Sequence, residues 1–111
     1  MQMEQSNSII LYEESKGLTE TTVTAKIDKA RLEIFGHVFD DSAMTCSCRD
    51  EREYLYELNE EDTARLIEII TKDGRDLKVS LIDNFGGETG IERFKKFCDK
   101  NKLKYEYRSR P

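Results

Sequence analysis

The chain has 111 residues, of which 37% are charged and 37% apolar, and a net charge of −5 at neutral pH. This length is typical of one domain, so we expect residues 1–111 to form a single unit with 1–7 as a flexible tail. No apolar run approaches the ~18–20 residues of a membrane-spanning helix, and the N-terminus does not resemble a signal peptide. The sequence therefore predicts a cytoplasmic protein.

Three strand patterns occupy the first third of the chain. Residues 8–13 form the first, and the second, 21–27, alternates β-branched and polar side chains. A tight turn at 28–29 leads into the third, 31–39, and the last two strands are predicted to form an antiparallel hairpin. Gly36 inside the third strand indicates a bulge or a close approach of another group to the backbone.

A strand followed directly by a helix dominates the middle of the chain. Asp40–Glu51 lacks both periodicities and is predicted to be a loop, after which Glu53–Leu58 alternates as a half-buried strand. Asn59 is a suitable N-cap, and the acidic residues 60–62 suit the positive end of a helix dipole. Gly74 permits the left-handed turn that ends helices. The predicted apolar face of this helix is Thr63, Leu66, Ile67 and Ile70.

The segment Asp76–Phe85 fits two patterns. Its apolar residues alternate from Leu77 to Leu81 as in a strand, whereas Leu77, Leu81 and Phe85 share one helical face. The two glycines at 86–87 favour a helix, because glycine commonly follows a helix C-terminus. We predict a helix and keep a strand as the alternative.

A capped helix and a final strand complete the chain. Thr89 and Glu92 have the spacing of a capping box, and Asn101 can close the helix in a left-handed conformation. Leu103–Ser109 then alternates as an amphipathic strand that we expect to bury Tyr105. The order β-β-β-β-α-α-α-β predicts an α+β fold, with about five mainly antiparallel strands and about three helices on one face.

The C-terminal half carries a resemblance to known proteins. From Glu53 onward, the stretch EYLYELNEEDTARL, the FGG after the second helix and the final FKKFCDKNKLKYEY resemble small uncharacterised bacterial α+β proteins. Several such acidic proteins look like immunity or inhibitor proteins encoded beside toxins. The resemblance implies a binding protein and supplies no catalytic residue.

Charge is distributed unevenly along the chain. Asp40–Asp62 holds nine acids and two arginines, a balance of −7, whereas Arg93–Arg110 holds eight bases and two acids, a balance of +6. The acidic segment predicts a surface that recognises a basic protein partner, and a plain solvated face is the alternative. The predicted partner-binding residues are Asp40, Asp41, Asp50, Glu51, Glu53, Leu55 and Glu57.

Other chemistry is less well supported by the sequence. Cys46 and Cys48 would need His37 and Cys98 to complete a tetrahedral zinc site, and Cys98 fits a helix core better. We therefore expect reduced thiols, no metal and no cofactor. The single histidine lies far along the chain from every cysteine, so no nucleophile–base pair indicates an enzyme. The basic C-terminal segment with its tyrosines leaves nucleic-acid binding as an alternative.

Overall fold

The computed structural model describes residues 8–40 and 50–110. Three of the predictions concern residues outside these ranges: the flexible tail 1–7, the partner-binding role of Asp41, and the state of Cys46 and Cys48. At Asp50 the description is limited to the backbone.

The five strands form one antiparallel sheet whose spatial order is the same as their order in the chain. The strands are β1 (Ile9–Lys16), β2 (Thr19–Asp28), β3 (Arg31–Asp40), β4 (Asp50–Leu58) and β5 (Tyr105–Arg110). Each strand pairs with the next, so β5 returns after the helices to lie beside β4. The predicted α+β class, antiparallel sheet and pairing of the last strand are confirmed.

Three helices lie between β4 and β5 in the chain and pack on one face of the sheet. They are α1 (Glu60–Ile70), α2 (Leu77–Phe85) and α3 (Gly90–Asn101). The helix predicted over Asp76–Phe85 is confirmed. Asn59 caps α1 as predicted, because its side-chain oxygen accepts a hydrogen bond of 2.7 Å from the backbone N–H of Asp62.

The core lies between the helices and this face of the sheet. Every second residue of the strands points into the core, and each helix contributes one apolar face. Its fully buried members include Leu32, Ile34, Leu58, Leu66, Leu81, Phe85, Phe94 and Cys98. Thr63 is polar yet buried, because its hydroxyl accepts a hydrogen bond of 2.9 Å from the backbone N–H of Leu32. That bond ties α1 to β3.

Gly36 marks a close approach, which was one of the two predicted roles. It lies directly opposite Tyr54 in the β3–β4 register, and a Cβ atom at Gly36 would collide with the Tyr54 ring. Among the described strands, the register irregularity lies instead in β1, where Leu11 is skipped between Ile10 and Tyr12. The Leu11 carbonyl accepts a hydrogen bond of 3.0 Å from Gly87, which attaches the end of α2 to this edge strand.

Two of the predicted helix ends were wrong, and a third lacks its predicted capping bond. Thr89 is the N-cap residue of α3, as predicted, but its side chain makes no capping bond; Gly90 begins the helix in close contact with the Phe85 carbonyl, where a Cβ atom would collide. Asn101 is the last helical residue, and Lys102 takes the left-handed conformation with φ of 57°. Gly74 is left-handed, with φ of 85°, but lies beyond the C-cap residue Thr71. The position of a helix end depends on how the neighbouring elements pack, and the spacing of nearby residues in the sequence does not contain that information.

The limits of the predicted loop were also wrong. Asp40 is the last residue of β3, and the pair Asp50 and Glu51 begins β4, so the hairpin arms are longer than expected. The backbone hydrogen bonds between β3 and β4 continue to these residues, although their side chains show no apolar alternation. The prediction depended on that alternation, so it made both strands too short.

Candidate partner-binding face

The second face of the sheet, here called the open face, bears none of the described helices. Every second residue of β4 points to it, which places Glu51, Glu53, Leu55 and Glu57 there together. Four of the predicted partner-binding residues therefore share one surface. Leu55 lies outward, as the sequence predicted.

The other predicted residues do not join this group. Asp40 lies on the side of β3 that carries Ile34, and its carboxylate accepts a hydrogen bond of 3.3 Å from the Thr19 hydroxyl. The backbone of Asp50 is directly opposite Asp40 in the ladder. Because side chains alternate across a strand, a run of acids in sequence is divided between the two faces of the sheet.

An apolar row crosses the middle of the open face. It consists of the successive cross-strand partners Ile10, Thr24, Phe35 and Leu55, and Arg108 follows on β5. Ile10, near the start of β1, is 55% exposed, and Phe35, in the middle of β3, is 38% exposed, so this row leaves apolar surface in contact with water. With strands about 4.8 Å apart, the row and Arg108 together span ~19 Å.

Two shallow depressions lie on either side of the Phe35–Leu55 pair. One, of about 390 Å³, extends toward Glu53 and the β5 residues Arg108 and Arg110. The other, of about 260 Å³, extends toward Ser8, Lys26 and Glu33. The centre of the open face is therefore a ridge of two apolar side chains between two recesses.

A carboxylate row, defined as Glu33, Glu57 and Glu106, borders the apolar row. These residues are consecutive cross-strand partners, and Lys26 precedes them on β2. Burial raises the pKa of Glu33; the Lys26 ammonium, 3.9 Å away, opposes this effect, whereas Glu57 and Asp28 add to it. Like charges directly opposite each other destabilise a sheet. Lys26 and Arg108 provide two nearby cations for the three carboxylates, so the row keeps an excess of negative charge.

The row on the other side of the apolar row has mixed charge, with two glutamates and one arginine. It consists of the cross-strand partners Glu13, Thr22, His37, Glu53 and Arg110. The His37 ring nitrogen Nε2 lies 3.7 Å from the Glu51 carboxylate. The apolar row thus has acids along both borders.

The acidic strand and the basic tail are neighbours in the sheet, which sequence reasoning missed. The Arg110 guanidinium lies 3.3 Å from the Glu53 carboxylate, and Arg108 lies 3.7 Å from Glu57. The only signal for this in the sequence is the opposite charge of two strand patterns, whose pairing the sequence does not specify. Two of the predicted partner-binding acids therefore have arginine neighbours within the chain.

The open face remains negative after these arginines are counted. Its described strand positions carry eight acids and four bases, a difference of −4, against −5 for the whole chain. The acids are Glu13, Glu20, Asp28, Glu33, Glu51, Glu53, Glu57 and Glu106, and the bases are Lys26, Arg31, Arg108 and Arg110. Surface ion pairs of this kind are weak, about 0–1 kcal/mol, so a partner can replace them at little cost.

The histidine and the buried cysteine lie on opposite sides of the sheet. His37 is on the open face, whereas Cys98 is buried in the core against the other face. Burial raises the pKa of the Cys98 thiol to about 12, so the thiol stays protonated and unreactive at neutral pH. Within residues 8–40 and 50–110, no three His, Cys, Asp or Glu side chains are grouped so as to hold a metal ion.

The aromatic residues of β5 point away from its arginines. Tyr105 and Tyr107 lie on the helix side, where their ring centroids are 5.3 and 4.8 Å from that of Tyr56. Tyr105 is half-buried, less than predicted, and Tyr107 is exposed. Cations and aromatic rings on opposite faces do not form one base-stacking surface.

Comparison with known protein families, with curated proteins and with solved structures found no match for this chain. The resemblance to bacterial immunity or inhibitor proteins therefore stays a prediction. Across the part of the chain that the structure describes, every helix is too short or too polar to cross a membrane.

Proposed function

We propose that this chain is a non-enzymatic protein-binding module that binds a basic protein partner on its open face. The observation that carries the proposal is the apolar row, which none of the described helices covers, with glutamates on both sides and on a face with a balance of −4. Exposed apolar groups supply contact area, and the surrounding negative charge selects a cationic partner and speeds association. An inhibitor of a basic toxin, such as a nuclease, is the specific form of this function that the resemblance suggests.

Nucleic-acid binding through the basic C-terminal segment is the weaker alternative. Arg108 and Arg110 lie beside glutamates on the negative open face, and the tyrosines of β5 lie on the other side of the sheet. A phosphate backbone that approached these arginines would meet the surrounding carboxylates, which opposes binding.

A two-sided crosslinking experiment identifies the partner. A photo-crosslinking amino acid is placed at Phe35 on the open face, and as a control at Val79, which is 54% exposed on α2. We expect a basic protein to be captured in the source cells from position 35 and not from position 79. Equal capture from both positions would indicate non-specific contact and contradict the proposal.

Charge reversal then tests the surface with the purified partner. Changing Glu51, Glu53 and Glu57 to Lys should slow association by about tenfold or more at low salt. The matched control changes Glu68, Glu88 and Asp99 to Lys, an equal charge change at exposed positions on the helix side. Added salt should slow association of the wild-type protein. The proposal that the partner binds on the open face would be contradicted if the three open-face substitutions left the association rate unchanged, or if the control substitutions lowered it as much.

A further inference from the structure

We infer that the segment bound on the open face is a basic amphipathic helix of the partner, with its apolar stripe on the row Ile10, Thr24, Phe35 and Leu55. This inference rests on the proposed function and specifies the partner's chemistry. Four features of the structure lead to it: the position of the row, its borders, the carboxylate row and the sign of the face.

The position of the row favours a helix over an extended segment. Thr24, Phe35 and Leu55 lie on β2, β3 and β4, each of which pairs with a neighbour on both sides, so their backbone groups are already used in the sheet; Ile10 lies on the edge strand β1. An extended segment laid on this face would leave its own backbone N–H and C=O groups unpaired against apolar side chains. A helix satisfies its backbone hydrogen bonds internally and presents only side chains.

The borders of the row fit a helix with cations on both flanks. The two bordering rows, each of which contains glutamates, lie two residues away along the strands, which is about 7 Å on each side of the apolar row. A helix about 10–12 Å across, seated on Phe35 and Leu55, places its flanking residues above both borders. Lysine and arginine reach down past an apolar stripe while their stems stay in contact with it.

The carboxylate row provides the site for one of these cations. Glu33 and Glu57 are directly opposite each other, with side chains 22% and 13% exposed, and Lys26 and Arg108 approach them only at 3.9 and 3.7 Å. A lysine or arginine from above would interact with both carboxylates at once. The recess beside Phe35 and Glu33 gives such a side chain a path to the Glu33 carboxylate.

The sign of the face disfavours the other occupants. A second copy of the chain, packed sheet against sheet, would oppose two faces that each carry −4. Nucleic acid and an anionic membrane surface are repelled for the same reason. Only a cationic protein segment satisfies both the apolar row and its borders.

Designed peptides and the intact chain test this inference without the natural partner. The first probe is a peptide of about 18 residues, ~27 Å as a helix, with a leucine stripe flanked by lysines. The second has the same composition in scrambled order, and the third carries glutamate in place of lysine. Binding is measured by fluorescence anisotropy, and the contact surface is mapped by amide chemical-shift changes.

We expect the amphipathic peptide to bind about tenfold more tightly than the scrambled one, and the acidic peptide not to bind. Shift changes should centre on β2, β3 and β4 around Thr24, Phe35 and Leu55. The double substitution Glu33→Gln with Glu57→Gln should weaken binding about fivefold or more. The control pair Glu68→Gln with Glu88→Gln should leave it within about twofold.

Each other outcome has a defined meaning. Equal binding of the scrambled peptide would contradict the inference of a bound helix and leave the proposed function intact. The face would then recognise the charge of a partner and not the arrangement of its apolar residues. Shift changes on the helix side, or concentration-dependent changes at Phe35 and Leu55 without peptide, would overturn it in favour of another surface or a second copy. Failure of all peptides, with a basic protein still crosslinked at position 35, would overturn the helix alone.

Discussion

The two faces of one sheet show how adjacent residues acquire different roles. Ile34 points to the helix side and is fully buried, whereas Phe35, the next residue, points to the open face and is 38% exposed. On the helix side Tyr56 meets Phe94 at a ring-centroid distance of 5.8 Å, and on the open face Leu55 is bordered by charged rows. Both faces have an apolar centre, but within the described chain only one has a cover.

The difference between the faces separates stability from recognition. Buried apolar side chains on the helix side contribute most of the free energy of folding, at about 25 cal/mol per Å² of apolar area removed from water. Apolar side chains on the open face keep part of that area in contact with water, where it is available to a partner. Substitutions on the two faces should therefore affect different measurements.

The largest expected contrast comes from one substitution made on each face. Phe94→Ala should lower the free energy of unfolding by ~3–5 kcal/mol, because it leaves a cavity in the core. Phe35→Ala should lower it by less than about 1 kcal/mol, because this side chain is partly in water already. Chemical denaturation followed by circular dichroism measures both. Similar losses at the two positions would show that the open face is covered in solution.

A smaller effect is expected where the two central strands meet most closely. Gly36→Val should lower the free energy of unfolding by ~1–3 kcal/mol, because the new side chain displaces the Tyr54 ring. In a Tyr54→Ala background the same change should cost less, since the ring is no longer in the way. A double-mutant cycle measures this coupling. No coupling between the two positions would contradict the close approach of Tyr54 to Gly36.

The smallest effect is a stabilisation on the open face that depends on pH. The pKa of Glu33 is raised in the folded state, so the folded chain holds this proton more tightly than the unfolded chain. The free energy of unfolding therefore falls as the pH rises from the pKa of Glu33 in the unfolded chain to its pKa in the folded chain. Above the pKa of the folded chain the whole penalty is present. Glu33→Gln should remove a penalty of ~0.2–1 kcal/mol at pH 7.

The gain from Glu33→Gln should vanish near pH 3, where Glu33 is protonated in both states. Denaturation curves at the two pH values test this, with Glu68→Gln on the exposed side of α1 as the control. A gain that persists at low pH would assign the effect to packing and not to charge.

Local patterns in the sequence determined most of the elements. The alternation of β2, β3 and β4, the Asn59 cap and the apolar stripes of the helices each depend on residues within a few positions of one another. The outward position of Leu55 followed from the same alternation. The α+β class and the antiparallel pairing of the last strand could be predicted for this reason.

Only the tertiary structure decided how those elements combine into a surface. The register of β4 against β5 places Arg108 beside Glu57, and the pairing of β2, β3 and β4 aligns Thr24, Phe35 and Leu55 in one row. Strand register depends on contacts between residues far apart in the chain, so no local pattern encodes it. The sequence by itself specified an acidic segment, and the fold divided that segment between two faces and placed an apolar row beside its glutamates.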